Sequence, residues 1–170
     1  MSRKNTTGLY TGRFQPFHLG HLSAVKQALR QVDKLYIAIG STQYDHEEYN
    51  PFTAEERVKM IKLALEENGL TDKCEIFLVP DINDDTKWTA HVRKIVPHFN
   101  AVFVGNNGLV KELFDKEGKS PVIEVEHEVD VSATKIRSTI VRGIEWENNV
   151  SPRVAEYIKK IGGVERIRQL

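Results

Sequence analysis

One segment constrains the fold of this chain more than any other. The apolar run Gly8-Leu9-Tyr10-Thr11 passes directly into Gly12-Arg13-Phe14-Gln15-Pro16-Phe17-His18-Leu19-Gly20-His21. Beyond it, Leu22, Val25, Leu29 and Val32 recur at roughly helical spacing. A strand therefore ends in a polar turn that feeds a helix, with two histidines and a glycine at the helix start. Free backbone N–H groups and the positive end of the helix dipole suit a phosphate there. Gly20 has no Cβ and admits a close ligand. Arg13 contributes a fixed charge with a planar fork. His18 and His21 can donate hydrogen bonds to phosphate oxygens or to a leaving group.

Strand and helix signals alternate along the rest of the chain. Leu35–Ile39 ends at Gly40, Glu75–Val79 stops at Pro80, Ala101–Val104 ends at Gly105, and Pro121–Val125 forms a further run. Short runs rich in Val and Ile fit buried parallel strands. Thr53-Ala54-Glu55-Glu56 reads as a capping box, with Val58, Ile61, Ala64 and Leu65 on one face of the helix it opens. Residues 86 to 96 form a shorter helix. Another starts at Ser132, and one more near Pro152, which suits a first helical position. The pattern predicts a Rossmann-like, doubly wound α/β fold: a parallel sheet with right-handed crossovers and helices on both faces. Residues 1–170 then make one domain with a C-terminal helical segment from about 151 to 170, in which Val164, Ile167 and Leu170 could dock as an apolar stripe. Ligands in such sheets sit beyond the carboxyl ends of the strands, near the topological switch point.

Composition narrows the functional classes. Lys plus Arg number 24 and Asp plus Glu number 24, so the balanced charge gives no reason to expect nucleic-acid or anionic-membrane binding. No apolar run approaches a membrane span, and Met1-Ser2-Arg3-Lys4-Asn5 lacks the apolar core of a signal peptide. Cys74 is the single cysteine, which fits a reducing compartment and a cytoplasmic protein.

A second anion-binding helix start lies at Val131-Ser132-Ala133-Thr134-Lys135-Ile136-Arg137, where Ser132 is a plausible N-cap followed by a hydroxyl and two cations. Its Ser-x-x-Lys reading as a penicillin-binding motif fails, because neither Ser-Asp-Asn nor Lys-Thr-Gly occurs in the chain. The acidic run Asp81-Ile82-Asn83-Asp84-Asp85 begins like a calcium loop, but Thr86 stands where glycine is needed and Val92 where the bidentate glutamate belongs. No HExxH zinc signature is present. His46, His91, His98 and His127 read as structural or solvated.

The first motif resembles the HxGH signature of the nucleotidyltransferases, and its ten-residue form resembles the archaeal-type nicotinamide mononucleotide adenylyltransferases. The second resembles the (I/S)-S-x-T-x-x-R motif of the same superfamily. Gly40-Ser41-Thr42-Gln43, Asn50–Arg57, Val79-Pro80-Asp81-Ile82 with Trp88, Gly105-Asn106 and the tail Gly163–Ile167 extend the likeness over nearly the whole length. Tyr49 departs from it, standing where some relatives carry an arginine.

The resemblance implies transfer of an adenylyl group from ATP to nicotinamide mononucleotide, giving NAD and pyrophosphate, with Mg2+ carried by the ATP phosphates and no protein metal ligand. It assigns catalysis to His18, His21, Arg13 and Arg137. ATP binding falls to Gly12, Arg13, Phe14, His18, Gly20, His21, Gly105, Ser132, Thr134 and Arg137, and acceptor binding to Gly40, Ser41, Asp81, Trp88 and Asn106. Trp88 reads equally as a core residue or as a stacking platform for the pyridine ring. The resemblance also implies a homo-oligomer. Two alternatives stand beside it: the same scaffold acting on a flavin or phosphopantetheine acceptor, and a nucleotide-binding regulatory module without activity.

Overall fold

The computed structural model describes residues 5–170, so the reading of Met1–Lys4 as lacking a signal peptide lies outside the described residues. Its strands are β1 (Thr7–Gly12), β2 (Lys34–Gly40), β3 (Cys74–Val79), β4 (Ala101–Val104) and β5 (Val122–Glu124). Its helices are α1 (Leu19–Leu29), α2 (Ala54–Glu67), α3 (Asp85–Ile95), α4 (Gly108–Glu117), α5 (Ala133–Val141), α6 (Pro152–Lys160) and α7 (Gly163–Gln169). Every strand pairing is parallel, in the order β3-β2-β1-β4-β5. The chain therefore reverses its direction of winding beside β1, which puts the switch point between β1 and β4.

Alternation along the strands splits the core in two, because successive side chains point to opposite faces. Tyr10, Ile37, Ile39 and Phe103 pack with α1, α2, α5, α6 and α7 on one face. Leu9, Tyr36, Ala38, Val102 and Val104 pack with α3 and α4 on the other. Both faces are covered, as a doubly wound sheet requires. Leu22 and Val25 are buried on α1, whereas Val32 reaches the core from the turn after that helix.

The capping box forms as its spacing predicts: Glu56 N–H donates to Thr53 Oγ1 at 3.1 Å, and Thr53 N–H donates to Glu56 Oε2 at 2.9 Å. Ile61, Ala64 and Leu65 are buried and Val58 half-buried. Glu56 also receives both terminal nitrogens of Arg166, at 2.6 and 2.9 Å, and Arg166 Nη1 donates to Pro51 O at 3.1 Å. Helix α7 is thereby clasped onto the segment that precedes α2. Gly162, at φ 71°, breaks the C-terminal helical segment into α6 and α7. Ile167 is buried and Val164 half-buried, but Leu170 is 45 % exposed, so the expected apolar stripe ends at Ile167.

Two expectations are corrected. Glu75–Val79 and Pro121–Val125 are not buried strands, because the strand order makes β3 and β5 the sheet edges; Leu78 on β3 is 42 % exposed. Helix α4 stands in a stretch where no helix was expected. Asn107 caps it, accepting from Val110 N–H at 3.2 Å, and Val110 and Phe114 supply its buried face.

Candidate active site

The turn after β1 is built from the inside. Phe14, at φ 56°, and Phe17 bury their rings beneath it. Gln15 is buried and grips Phe52 twice, donating to its carbonyl at 3.1 Å and accepting from its N–H at 2.9 Å. Arg137 Nη1 donates to Gln15 O at 2.8 Å from α5. These contacts satisfy the turn's buried polar groups, which fixes its shape ahead of any ligand.

His18 and His21 form the start of α1. Gly20 N–H and His21 N–H donate to His18 Nδ1 at 3.0 and 3.3 Å, while His18 N–H donates to His21 Nδ1 at 3.1 Å. This is a capping box made of two imidazoles. The rings stack with centroids 3.6 Å apart, and Phe14 meets His21 edge-on at 4.8 Å. Because each Nδ1 accepts a hydrogen bond, the proton of each neutral ring lies on Nε2. Burial, with a smaller like-charge effect from His127, pulls His18 down to about 4. Burial and then His18 hold His21 well below its ordinary value. Both rings are therefore neutral N–H donors at pH 7, not proton acceptors in waiting. A Cβ on Gly20 would lie 2.9 Å from His18 Cε1 and 3.2 Å from Val131 Cγ1, so glycine is what lets the His18 ring lie over the turn.

A cavity of about 520 Å³ opens over this helix start. Gly12, Arg13, Phe14, His18, Gly20, His21, Gly105, Ser132, Thr134 and Arg137 all line it. Phe14 contributes from below, since its side chain is 2 % exposed and supports His21. The second helix start forms as expected, with Ser132 Oγ accepting from Lys135 N–H at 3.1 Å. Arg13 is exposed, whereas Arg137 is largely buried and desolvation lowers its pKa.

A second cavity, of about 440 Å³, adjoins the first and shares Thr11, Gly12, Arg13 and Asn107 with it. Gly40, Ser41, Asp81 and Trp88 line it, brought together from the carboxyl ends of β2 and β3 and from α3. Ser41 Oγ donates to Asp81 Oδ2 at 2.7 Å. Trp88 is half-buried, its ring edge-on to Phe114 at 5.8 Å, so it belongs both to the lower core and to the cavity wall. Asn106 lines the first cavity and not the second. Of the residues before α4, it is Asn107, one residue on, that lines both cavities, its side chain capping the helix. Tyr49 is 61 % exposed and lines neither cavity.

Sequence reasoning missed two contributors. Residues 125–131 wall the first cavity, held against α1 by Gln27, which donates to Glu126 O at 2.9 Å, and by Ser23, which donates to Glu128 at 2.8 Å. His127, read as structural or solvated, lies on that wall. Arg57, on the first turn of α2, is fully buried between the ends of β1 and β2. Among the described residues no three His, Cys, Asp or Glu side chains converge to hold a metal ion. The two helix starts present N–H donors, hydroxyls and cations, which fit anionic oxygens, while Glu126, Glu128 and Asp130 line the same cavity.

Residues 9–139 match the cytidylyltransferase-like family model. The chain is similar to a nicotinamide-nucleotide adenylyltransferase of Pyrococcus furiosus, 46 % identical over 166 residues covering 96 % of this chain and 88 % of that one. A protein of the same name from Thermococcus onnurineus is 44 % identical over 164 residues, with coverage of 96 % and 87 %. Among solved structures, a bifunctional NMN adenylyltransferase/ADP ribose pyrophosphatase from Francisella tularensis, complexed with AMP and a Mn ion, superposes with a TM-score of 0.82 at 26 % identity. That match covers 98 % of this chain, which spans about half of the other's length (52 %).

Proposed function

The chain belongs to the nicotinamide-nucleotide adenylyltransferases, within the cytidylyltransferase-like family, and on that premise we propose how its two cavities carry out adenylyl transfer. The reaction is ATP plus nicotinamide mononucleotide giving NAD and pyrophosphate. The observation that carries the site assignment is the junction of the cavities at Gly12 and Arg13, beside the paired histidines at the carboxyl end of β1. ATP occupies the first cavity, its triphosphate over the starts of α1 and α5. The mononucleotide occupies the second, its phosphate at the junction and its pyridine ring toward Trp88.

An oxygen of the mononucleotide phosphate attacks the α-phosphorus of ATP in line. A new P–O bond forms as the bond between the α-phosphorus and the bridging oxygen breaks, and pyrophosphate leaves with that electron pair. The acceptor phosphate is already ionised at neutral pH, so no protein nucleophile or general base is required. Catalysis is then positioning plus electrostatic stabilisation. His18 and His21 donate from Nε2 to oxygens that gain charge as the bond breaks. Arg13 and Arg137 offset the triphosphate charge. Mg2+ enters with ATP as the substrate complex and neutralises part of that charge.

Assembly as a homo-oligomer and a cytoplasmic setting belong to the same proposal, the first implied by family resemblance and the second supported by the single cysteine. The test of the reaction offers the purified protein MgATP with nicotinamide mononucleotide, nicotinate mononucleotide, flavin mononucleotide or phosphopantetheine, and follows pyrophosphate. Release with nicotinamide mononucleotide, matched by NAD, is expected. Release with a flavin or phosphopantetheine acceptor, and none with nicotinamide mononucleotide, overturns the reading.

A further inference from the structure

Arg57 is the largest side chain fully buried among the described residues. Its Nε donates to Thr53 O at 3.2 Å, its Nη1 to Arg13 O at 3.0 Å and Gly40 O at 2.8 Å, and its Nη2 to Ser41 O at 3.2 Å. All four acceptors are backbone carbonyls, and none of the ion pairs formed among the described residues involves it. No carboxylate among the described residues meets it at ion-pair distance, although Asp45, Glu55 and Asp81 act on it from farther off, and a desolvated cation held this way is a poor means of stabilising a fold. Its placement points to the site instead. Arg13 lines both cavities, and Gly40 and Ser41 line the second. Ser41 sits at φ 51° while its hydroxyl holds Asp81, so its backbone needs an external restraint. A single planar fork thus ties the end of β1 to the end of β2, beneath the place where the two substrates' phosphates converge.

We propose that Arg57 is a positioning residue for adenylyl transfer, fixing the separation of the ATP-side and acceptor-side loops while its charge offsets the repulsion between the two phosphates. The idea rests on the assignment of the cavities given above. Arg57 touches no reacting atom; it acts through the carbonyls it holds. The fork's effect is therefore felt when both substrates are aligned, whereas its charge also favours each anionic substrate alone.

Arg57→Lys keeps the charge and loses the fork. In the folded variant, kcat is expected to fall on the order of 100-fold, the cost of misplacing reacting groups by about an ångström. Separately measured dissociation constants for MgATP and nicotinamide mononucleotide should move by less than about threefold, since ground-state binding is nearly intact. Arg57→Met, which removes the charge as well, should add weaker binding of both. A purely structural role predicts instead that activity tracks the folded fraction, with kcat per folded molecule unchanged; that result overturns the proposal, as does a loss confined to the dissociation constants in Arg57→Lys. Should neither variant fold, the wild-type protein decides. With 15N-labelled arginine, the Arg57 Nε–H signal should shift on adding nicotinamide mononucleotide or a non-reacting α,β-methylene ATP, and most with both. An unmoved signal contradicts the proposal. Wild-type synthesis of NAD, measured alongside, separates the two levels: its absence removes the functional reading, whereas its presence with an unaffected Arg57→Lys removes only the role of Arg57.

Discussion

His18 and His21 cap one helix through each other, the His18 N–H donating to His21 Nδ1 at 3.1 Å while His18 Nδ1 accepts from the His21 N–H at 3.3 Å. The two bonds spend both Nδ1 lone pairs on the protein and leave both Nε2–H groups for the cavity. The HxGH spacing is thus a local device: position N-cap and position N3 are the pair a capping box joins, and Gly20 between them leaves room for the ring.

In the proposed mechanism His21→Ala removes a donor that is strongest when charge moves toward pyrophosphate. Turnover should fall on the order of 100- to 1000-fold, the usual cost of one such transition-state contact, with ATP affinity changed far less. Steady-state kinetics beside equilibrium ATP binding check this; near wild-type turnover removes His21 from the reaction.

The buried pair also sets a pH dependence of stability. The folded His18 titrates near 4 and an unfolded one near 6.5, so between these values the unfolded chain binds more protons. The stability from a neutral, capping His18 is fully present above pH 6.5 and is lost as the pH falls toward 4. His18→Asn keeps an N-cap acceptor and does not titrate. Its melting temperature should fall less than that of the wild type between pH 7 and pH 4.5, by roughly 5 °C or more. Parallel curves for the two proteins contradict the burial argument.

In the proposed mechanism Arg137 offsets the triphosphate charge, and it also holds Gln15 O, so Arg137→Ala loosens the turn as well as removing charge. MgATP binding should weaken by about 10- to 100-fold, the range of a charge-assisted hydrogen bond, and AMP binding should weaken less. Calorimetric titration with both nucleotides decides; equal weakening assigns Arg137 to the turn alone.

Trp88→Ala should raise KM for nicotinamide mononucleotide by roughly 5- to 150-fold, the value of a base stacked on an aromatic ring, and leave KM for ATP nearly unchanged. Its contact with Phe114 adds a lower melting temperature. A lower melting temperature with an unchanged acceptor KM in the folded protein makes Trp88 a core residue only.

What could be read from the chain was whatever is local. Gly12–His21 and Ser132–Arg137 declare themselves because each is a helix start whose cap, glycine and cations lie within a few residues. Arg57 did not, because an arginine in the first turn of an amphipathic helix reads as solvated; its burial depends on carbonyls that β1 and β2 bring from elsewhere in the chain. The wall at residues 125–131 alternates Val125, His127, Val129 and Val131 with three acidic residues yet forms no strand, and its place depends on contacts from elsewhere in the chain, Gln27 and Ser23 on α1 among them. Helix α4 was hidden by Gly105-Asn106-Asn107-Gly108, which looks like a loop, although Asn107 as cap and Val110 with Phe114 as an i, i+4 pair were signals that could have found it. The same stretch explains Asn106: of two adjacent residues before a helix, both line the first cavity and only Asn107 reaches the second, which spacing alone does not resolve. The edge positions of β3 and β5 follow from strand order, a global property that no single apolar run contains.

The proposed reaction is direct transfer between two substrates held across the end of β1, with no adenylylated protein between them. Single-turnover conversion of ATP made chiral at the α-phosphorus by sulfur and an oxygen isotope tests it most directly. One in-line displacement inverts the configuration, so the NAD analogue formed from nicotinamide mononucleotide should show inversion at that phosphorus. Retention requires two displacements through a covalent intermediate and would contradict the account.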